Sequence, residues 1–412
     1  MPTLLTSSTG RLSVAVSGLV AGSRAARGLA GLVVVAALAS GVAACGAGEV
    51  AAIPPETPDA SADGAPLPPP SPTGTTTPDA APEPSGTYFP PANADGAWAT
   101  IDPAAAGFDT KALADVGAWV GQTNGTSFMV LFDGKVLGET YFGVDASTLR
   151  DVASAQKSVV SLLVGIAAAN GSFALDDTVS SIVGPGWTND TPENESAITV
   201  RHLLTMTSGL DDTLMRVEAP GSTWRYNTNA YHCLEGVLEK KTGKSLQDLT
   251  RALLLDRIGA GASAWTTRPL QKDGKGQPIK ALEMSARDMA RVGLLVGSGG
   301  AWKGTQVVPP TYLTAALTTS QTLNESYGLL FWLNGKASYL LPQSTRPTAG
   351  PLMPSAPADV VAALGAQDQK IYVSRSQKLV VVRQGRAAAQ GAQALSDFDD
   401  QLWKRLLAAK KP

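Results

Sequence analysis

The amino-acid sequence predicts a mixed α/β (α+β) fold in which a central antiparallel sheet is flanked by helices. Three observations carry that expectation. Strand-type alternation opens the globular part at Ser127 to Gly143 and returns near the end of the chain, at Gln369 to Val373 and Leu379 to Gln384. The long stretch between them places its apolar residues at helical spacing instead. Strands so far apart in sequence, with helices between them, are expected to complete one sheet under a helical layer.

What precedes that domain has a different composition. Arg11, Arg24 and Arg27 are followed by an apolar, uncharged run from Gly28 to Ala44, the pattern of a signal peptide over residues 1–45. Its end, Val42-Ala43-Ala44-Cys45, resembles a bacterial lipobox, so Cys45 is the expected lipidation site and a membrane anchor outside the cytoplasm is the expected localisation. A plain cleaved signal and an uncleaved span are the alternatives, because the run is only slightly shorter than a bilayer requires. Residues 46–96 are rich in Pro, Ala, Thr and Ser and poor in large apolar side chains, which marks a linker. At about 3.1 Å per residue such a segment reaches on the order of 100 Å. The globular domain is then 97–412, starting near Trp98.

Within it, Ser127 to Gly143 divides into two strands around the Asp133-Gly134 turn. A helix from Ser154 to Ala169 ends at Asn170-Gly171, a left-handed C-cap signal. Further helices are expected at Thr199 to Thr207, Ala230 to Thr242, Ser245 to Arg257 and Ser285 to Gly297, and a closing one at Leu395 to Ala409. The formal net charge is -2, with no basic face, so no nucleic-acid partner is expected. Cys45 and Cys233 cannot build a disulfide framework, and Cys233 is expected inside a helix.

Chemistry concentrates at Ser154-Ala155-Gln156-Lys157. Residues three apart on a helix share a face, so the Lys157 ammonium reaches the Ser154 hydroxyl. A serine becomes nucleophilic when a neighbour takes its proton, and a buried lysine does so once its pKa falls. The free N–H groups of a helix start also favour a developing oxyanion. Tyr226, after the turn-forming Pro220-Gly221-Ser222, is a second acid-base candidate if a cation such as Lys157 lowers its phenol. Each signal has a blander reading, since the four-residue pattern is short and a tyrosine before a helix is ordinarily core. A Ser-His-Asp hydrolase is disfavoured: His202 and His232 are the only histidines, both sit in helical segments, and no G-x-S-x-G elbow is present. Two distant histidines and two distant cysteines offer no metal cluster.

Beyond these motifs, the chain from Phe128 to Gln384 resembles the serine β-lactamase-related group, which contains class C β-lactamases, D-alanyl-D-alanine carboxypeptidases and several esterases and amide hydrolases. The resemblance rests on DGKVLGETYFG (133–143), VASAQKSVVSLLVGIA (152–167), NGSFALDDTVS (170–180), ITVRHLLTMTSGL (198–210), YNTNAYHCLEGVLEKKTG (226–243), MSARDMARVGLL (284–295) and LVVVRQG (379–385). It implies a β-lactamase/transpeptidase-like fold with a mostly helical subdomain and no cofactor. It implies Ser154 as nucleophile, Lys157 as its base, Tyr226 serving the leaving group, and an oxyanion hole from the N–H groups of Ser154 and Gln369. The chain departs from the family at Ala366, in place of a Lys or His, at Asp368, in place of a Gly, and at Thr228, in place of an Asn. An inward-facing Asp368 would repel a substrate carboxylate; the alternative is a side chain turned to solvent. Thr228 and Asp368 are the expected substrate contacts. Trp187, Trp224, Trp265, Tyr327 and Trp332 are expected to line an apolar cleft or the core.

The expected function is an exported serine hydrolase acting through an acyl-enzyme on a small-molecule or peptide ester or amide, with weak or no β-lactamase activity. The alternatives are a D-Ala carboxypeptidase or β-lactamase and, from a different class, a silent lipoprotein that binds cell-wall peptide. The oligomeric state is not readable.

Overall fold

The computed structural model describes residues 86–92, 97–389 and 394–411. The leader, Cys45 and most of the expected linker lie outside the described residues. Asp109 starts helix α1 (Thr110–Gln122) by accepting the Ala112 N–H at 2.7 Å. Its buried stripe, Leu113, Val116 and Val120, faces the hairpin of β1 (Gly125–Phe132) and β2 (Lys135–Tyr141). Asp133 and Gly134 turn that hairpin with φ of 48° and 82°, as the Asp-Gly signal predicts.

The turn also receives the segment before the domain. Tyr88 donates its N–H to Asp133 O at 3.0 Å, and Thr87 donates its hydroxyl to the Asp133 carboxylate at 2.9 Å. Phe89 meets the Trp302 ring edge-on at 4.9 Å. These residues fall in the expected linker but belong to the domain, because Tyr88 and Phe89 supply the aromatic surface that the preceding Pro/Ala/Thr stretch lacks. The described domain therefore starts before Trp98.

Further along the chain lie β3 (Arg150–Asp151), α2 (Gln156–Ala169), α3 (Thr228–Thr242), β4 (Ala264–Lys272), β5 (Pro278–Met284), α4 (Ala286–Gly297), β6 (Trp332–Leu333), β7 (Val361–Gly365), β8 (Gln369–Ser374), β9 (Leu379–Gly385) and α5 (Asp397–Ala408). The main sheet is antiparallel throughout, in the order β2-β1-β9-β8-β7-β6. Strand β1 pairs with β9 from the far end of the chain, Val130 opposite Val381. Both β8 and β9 are buried at every position, which explains the unbroken run Leu379-Val380-Val381-Val382.

Helices cover both faces. A Cβ on Gly293 of α4 would lie 2.4 Å from Val380 Cγ1 and 3.0 Å from Ile371 Cγ2, so glycine lets that helix settle onto one face. On the other, Trp403 of α5 meets Tyr372 at 5.9 Å, and Phe398 stacks on Trp119 of α1 at 5.0 Å. A second, three-stranded antiparallel sheet, β3-β5-β4, stands beside the start of α2.

Helix α2 is buried continuously from Gln156 to Ala167, the state expected of a helix that is apolar nearly all round. It ends as predicted. Gly171 takes φ of 77°, its N–H reaches Ala168 O at 2.9 Å, and Ser172 N–H reaches Ala167 O at 3.0 Å. The helix expected over 245–257 is instead interrupted by a wider π turn at Arg251–Leu255. Among the described residues no helix is long and apolar enough to cross a membrane.

Candidate active site

Ser154 sits in a single 3₁₀ turn, Ala153–Ala155, between β3 and α2. Ala153, just before it, has φ of 50°, a left-handed conformation that a residue with a Cβ rarely adopts. Its N–H is held by the Asp151 carboxylate at 2.8 Å. The turn places the Ser154 N–H among the first donors of a helical run, which have no intrahelical acceptor.

One turn on, Lys157 is 3% exposed and donates from Nζ to Ser154 Oγ at 3.0 Å and to Thr228 Oγ1 at 3.2 Å. Its other neighbours are aromatic, with Nζ 5.1 Å from the centre of the Tyr226 ring and 4.7 Å from that of Tyr231. Burial pulls its pKa down to about 7; the Arg268 charge pushes the same way and Glu235 opposes. A neutral amine at hydrogen-bonding distance from a hydroxyl can accept its proton.

The Tyr226 phenol is pushed up to about 12 by burial, with the Ser154 hydroxyl working the other way. Contrary to the expectation from the sequence, this phenol is raised and not lowered. Trp224, Tyr327 and Trp332 surround the ring, the last stacked on it at 6.0 Å between centres, and this apolar shell disfavours a phenolate. The group stays a proton donor. Trp187 and Trp265 lie elsewhere, their indole N–H groups bonded to Ser180 and Thr250. Asn227 is buried and caps α3 through the Ala230 N–H at 2.9 Å while bonding Leu210 O and Asp211 O, so it fixes Tyr226 and Thr228 on either side of it.

The hairpin between β7 and β8 closes the site. A Cβ on Gly365 would lie 2.4 Å from Val152 O and 3.1 Å from Ala155 N, so the end of β7 runs directly along the serine turn. Gln369 stands opposite Gly365 across the hairpin, and its side chain bonds Gly385 O at 2.7 Å. Ala366 is exposed and brings no charge. Asp368 follows neither sequence reading. Its carboxylate is fully buried on the α5 side of the sheet, bonded to the Ser396 hydroxyl and the Ala388 N–H at 2.8 Å each, and 3.2 Å from Lys370 Nζ. Burial works against its charge, but Lys370 and these donors outweigh it and hold the pKa below the usual carboxylate range. The substitution for glycine nonetheless keeps a glycine-like backbone, with φ of 60° at Gln367 and 56° at Asp368. The Arg383 guanidinium ties down both carbonyls, at 2.8 and 3.1 Å.

The remaining candidates are structural. His202 accepts the Thr199 N–H in a capping box, and His232 pairs with Glu235 at 2.9 Å. The Cys233 thiol is pushed up to about 12 by burial, so it is not a reactive group. Among the described residues no three His, Cys, Asp or Glu side chains converge as a metal site. Asp151, Arg268 and Gly365 are site residues that spacing alone did not reveal.

The sequence profile of the Beta-lactamase family matches residues 110–384. The chain belongs to the Beta-lactamase family. Its fold is shared with solved structures of low identity. A beta-lactamase from Mycobacterium bovis is 18% identical, with a TM-score of 0.53 over 73% of this chain and 100% of that one. An octameric penicillin-binding protein homologue from Pyrococcus abyssi is 16% identical, with a TM-score of 0.53 over 73% and 78%. EstCE1, a hydrolase with promiscuous acyltransferase activity, is 15% identical, with a TM-score of 0.53 over 72% and 98%. No curated protein matches the chain. The mixed α/β architecture and the family that the motifs implied are both found, and with them a serine-hydrolase fold.

Proposed function

We propose that this chain is an exported serine hydrolase that cleaves an ester or amide through an acyl-enzyme on Ser154. The observation that carries the reading is the 3.0 Å contact between Ser154 Oγ and a buried Lys157 amine whose pKa is drawn down to about 7. Lys157 takes the hydroxyl proton as Oγ bonds to the substrate carbonyl carbon, and the carbonyl oxygen becomes the oxyanion. The Ser154 N–H and a backbone N–H of the 365–369 hairpin, with Gln369 the sequence candidate, receive that charge; one such donor is worth about 2.7–4 kcal/mol. On collapse the carbonyl carbon separates from the leaving oxygen or nitrogen, which takes a proton from Tyr226, itself resupplied by Lys157. Water, deprotonated by the same pair, then releases the acid.

Ala366 places no cation where the family carries Lys or His, and Asp368 is spent inside the fold, so recognition of a substrate carboxylate is weak. This favours simple esters and amides over β-lactams and D-Ala termini. Lipidation at Cys45 would hold the enzyme at the outer face of a membrane. The test is intact-protein mass spectrometry of residues 46–412 after brief mixing with p-nitrophenyl acetate. An acetyl adduct is expected in the parent and not in Ser154→Ala; an equal adduct in both sinks the assignment. Absence of both adduct and nitrophenol release would favour a silent binding lipoprotein.

A further inference from the structure

We infer that Arg268 and Asp151 form a positioning pair for the Ser154–Lys157 centre, holding the left-handed turn that presents the serine. The inference rests on the proposed role of Ser154. Ala153 is neither glycine nor asparagine, so its φ of 50° needs an external hold. Asp151 supplies one through the bond from Ala153 N–H to its Oδ1 at 2.8 Å. Asp151 is in turn clamped by both arms of Arg268, Nε to Oδ2 at 2.6 Å and the terminal nitrogen to Oδ1 at 2.7 Å. This two-pronged geometry fixes orientation as well as charge. Both partners come from one small sheet, since β3 and β4 each pair with β5, so the clamp is built on strands rather than on a loose loop.

The charge of the same guanidinium also acts on Lys157. The groups in contact with Lys157 Nζ are Ser154 on its own turn, Tyr226 before α3, and Thr228 and Tyr231 on α3, and the charges that act on it are those of Glu235 on α3 and Arg268 on β4. Among them the Arg268 charge is the one that works with burial to favour the neutral amine, against Glu235. Arg268 thus acts through its neighbours and has no need to touch substrate.

The two parts of the role separate experimentally. Asp151→Ala is expected to slow acylation by p-nitrophenyl acetate by about tenfold or more, because the turn loses its hold. Ala153→Gly added to it is expected to restore most of the rate, since glycine takes the left-handed turn freely. Arg268→Gln is expected to move the acidic limb of kcat/KM to higher pH, whereas Arg268→Lys keeps the limb in place. An Asp151→Ala loss that Ala153→Gly leaves untouched, or an unmoved limb in Arg268→Gln, overturns the inference. NMR titration of Lys157 in protein carrying ¹³C at lysine Cε, on a Ser154→Ala background, reads the same upward shift without turnover. A protein that forms no adduct but shows that shift would refute the hydrolase reading and leave the Arg268 effect standing.

Discussion

At the scale of single residues, function and stability pull in opposite directions at Lys157. Its folded-state pKa of about 7 lies below the ordinary 10.5, so below pH 7 the amine binds a proton and cannot accept one from Ser154. The expected pH profile of kcat/KM therefore falls on the acid side of about pH 7, while Tyr226, held near 12, stays neutral across the range. Between about pH 7 and 10.5 the unfolded chain carries a proton here that the folded chain does not, so this group's contribution to stability rises with pH and its full penalty applies below 7. Lys157→Met is expected to abolish turnover yet raise Tm, by about 1 kcal/mol of stability, with a larger gain at pH 6 than at pH 9.5. Thermal melts at the two pH values check this. Ser154 and Lys157 were legible because three-residue spacing on a helix is a local fact. Asp151 and Arg268 were not, because their contact spans 117 residues of sequence. Asp368 was misread because one residue's shift in a hairpin decides which face of the sheet it meets.

At the scale of elements, α2, which carries Lys157 and directly follows the Ser154 turn, is held without slack. Ser158 and Ser161 donate to Leu330 O and Leu329 O at 2.7 and 2.6 Å, satisfying their buried hydroxyls. Gly165 lets the Tyr312 ring lie against the helix, for a Cβ there would stand 2.2 Å from the ring. Gly165→Ala is expected to destabilise by about 1–3 kcal/mol, measured by denaturant unfolding, because the overlap is with a buried aromatic side chain. The helix was readable from its apolar spacing and its Asn170-Gly171 end. Strand β7 was not: Val-Ala-Ala-Leu-Gly is short, lacks alternation and is almost wholly buried, so neither period marks it. Its last residue nonetheless abuts the serine turn, which makes the least legible element one of the most consequential.

At the scale of the whole molecule, the buried ion cluster ties the site's hairpin to the end of the chain. Lys370 lies 2.9 Å from Asp399 of α5 and 3.2 Å from Asp368, and Tyr372 donates to Asp399 at 2.6 Å. Lys370→Met leaves two carboxylates without their cation, and a loss of about 3–5 kcal/mol is expected in equilibrium unfolding. The general architecture was legible because strand signals at both ends of the domain require a sheet that joins them. The order of strands was not, since pairing partners are chosen by burial rather than by neighbourhood in sequence.

That order has a consequence in time. Strand β1 finds its partner β9 only about 250 residues later, and at a synthesis rate of about 5–20 residues per second it waits some tens of seconds for it. Ser154 and Lys157 leave the ribosome together, early, but the hairpin that closes around them is among the last segments made. The nascent chain thus carries Ser154 and Lys157 long before it carries the β7–β8 hairpin that abuts them, and the candidate site is assembled only once β7, β8 and β9 have been made.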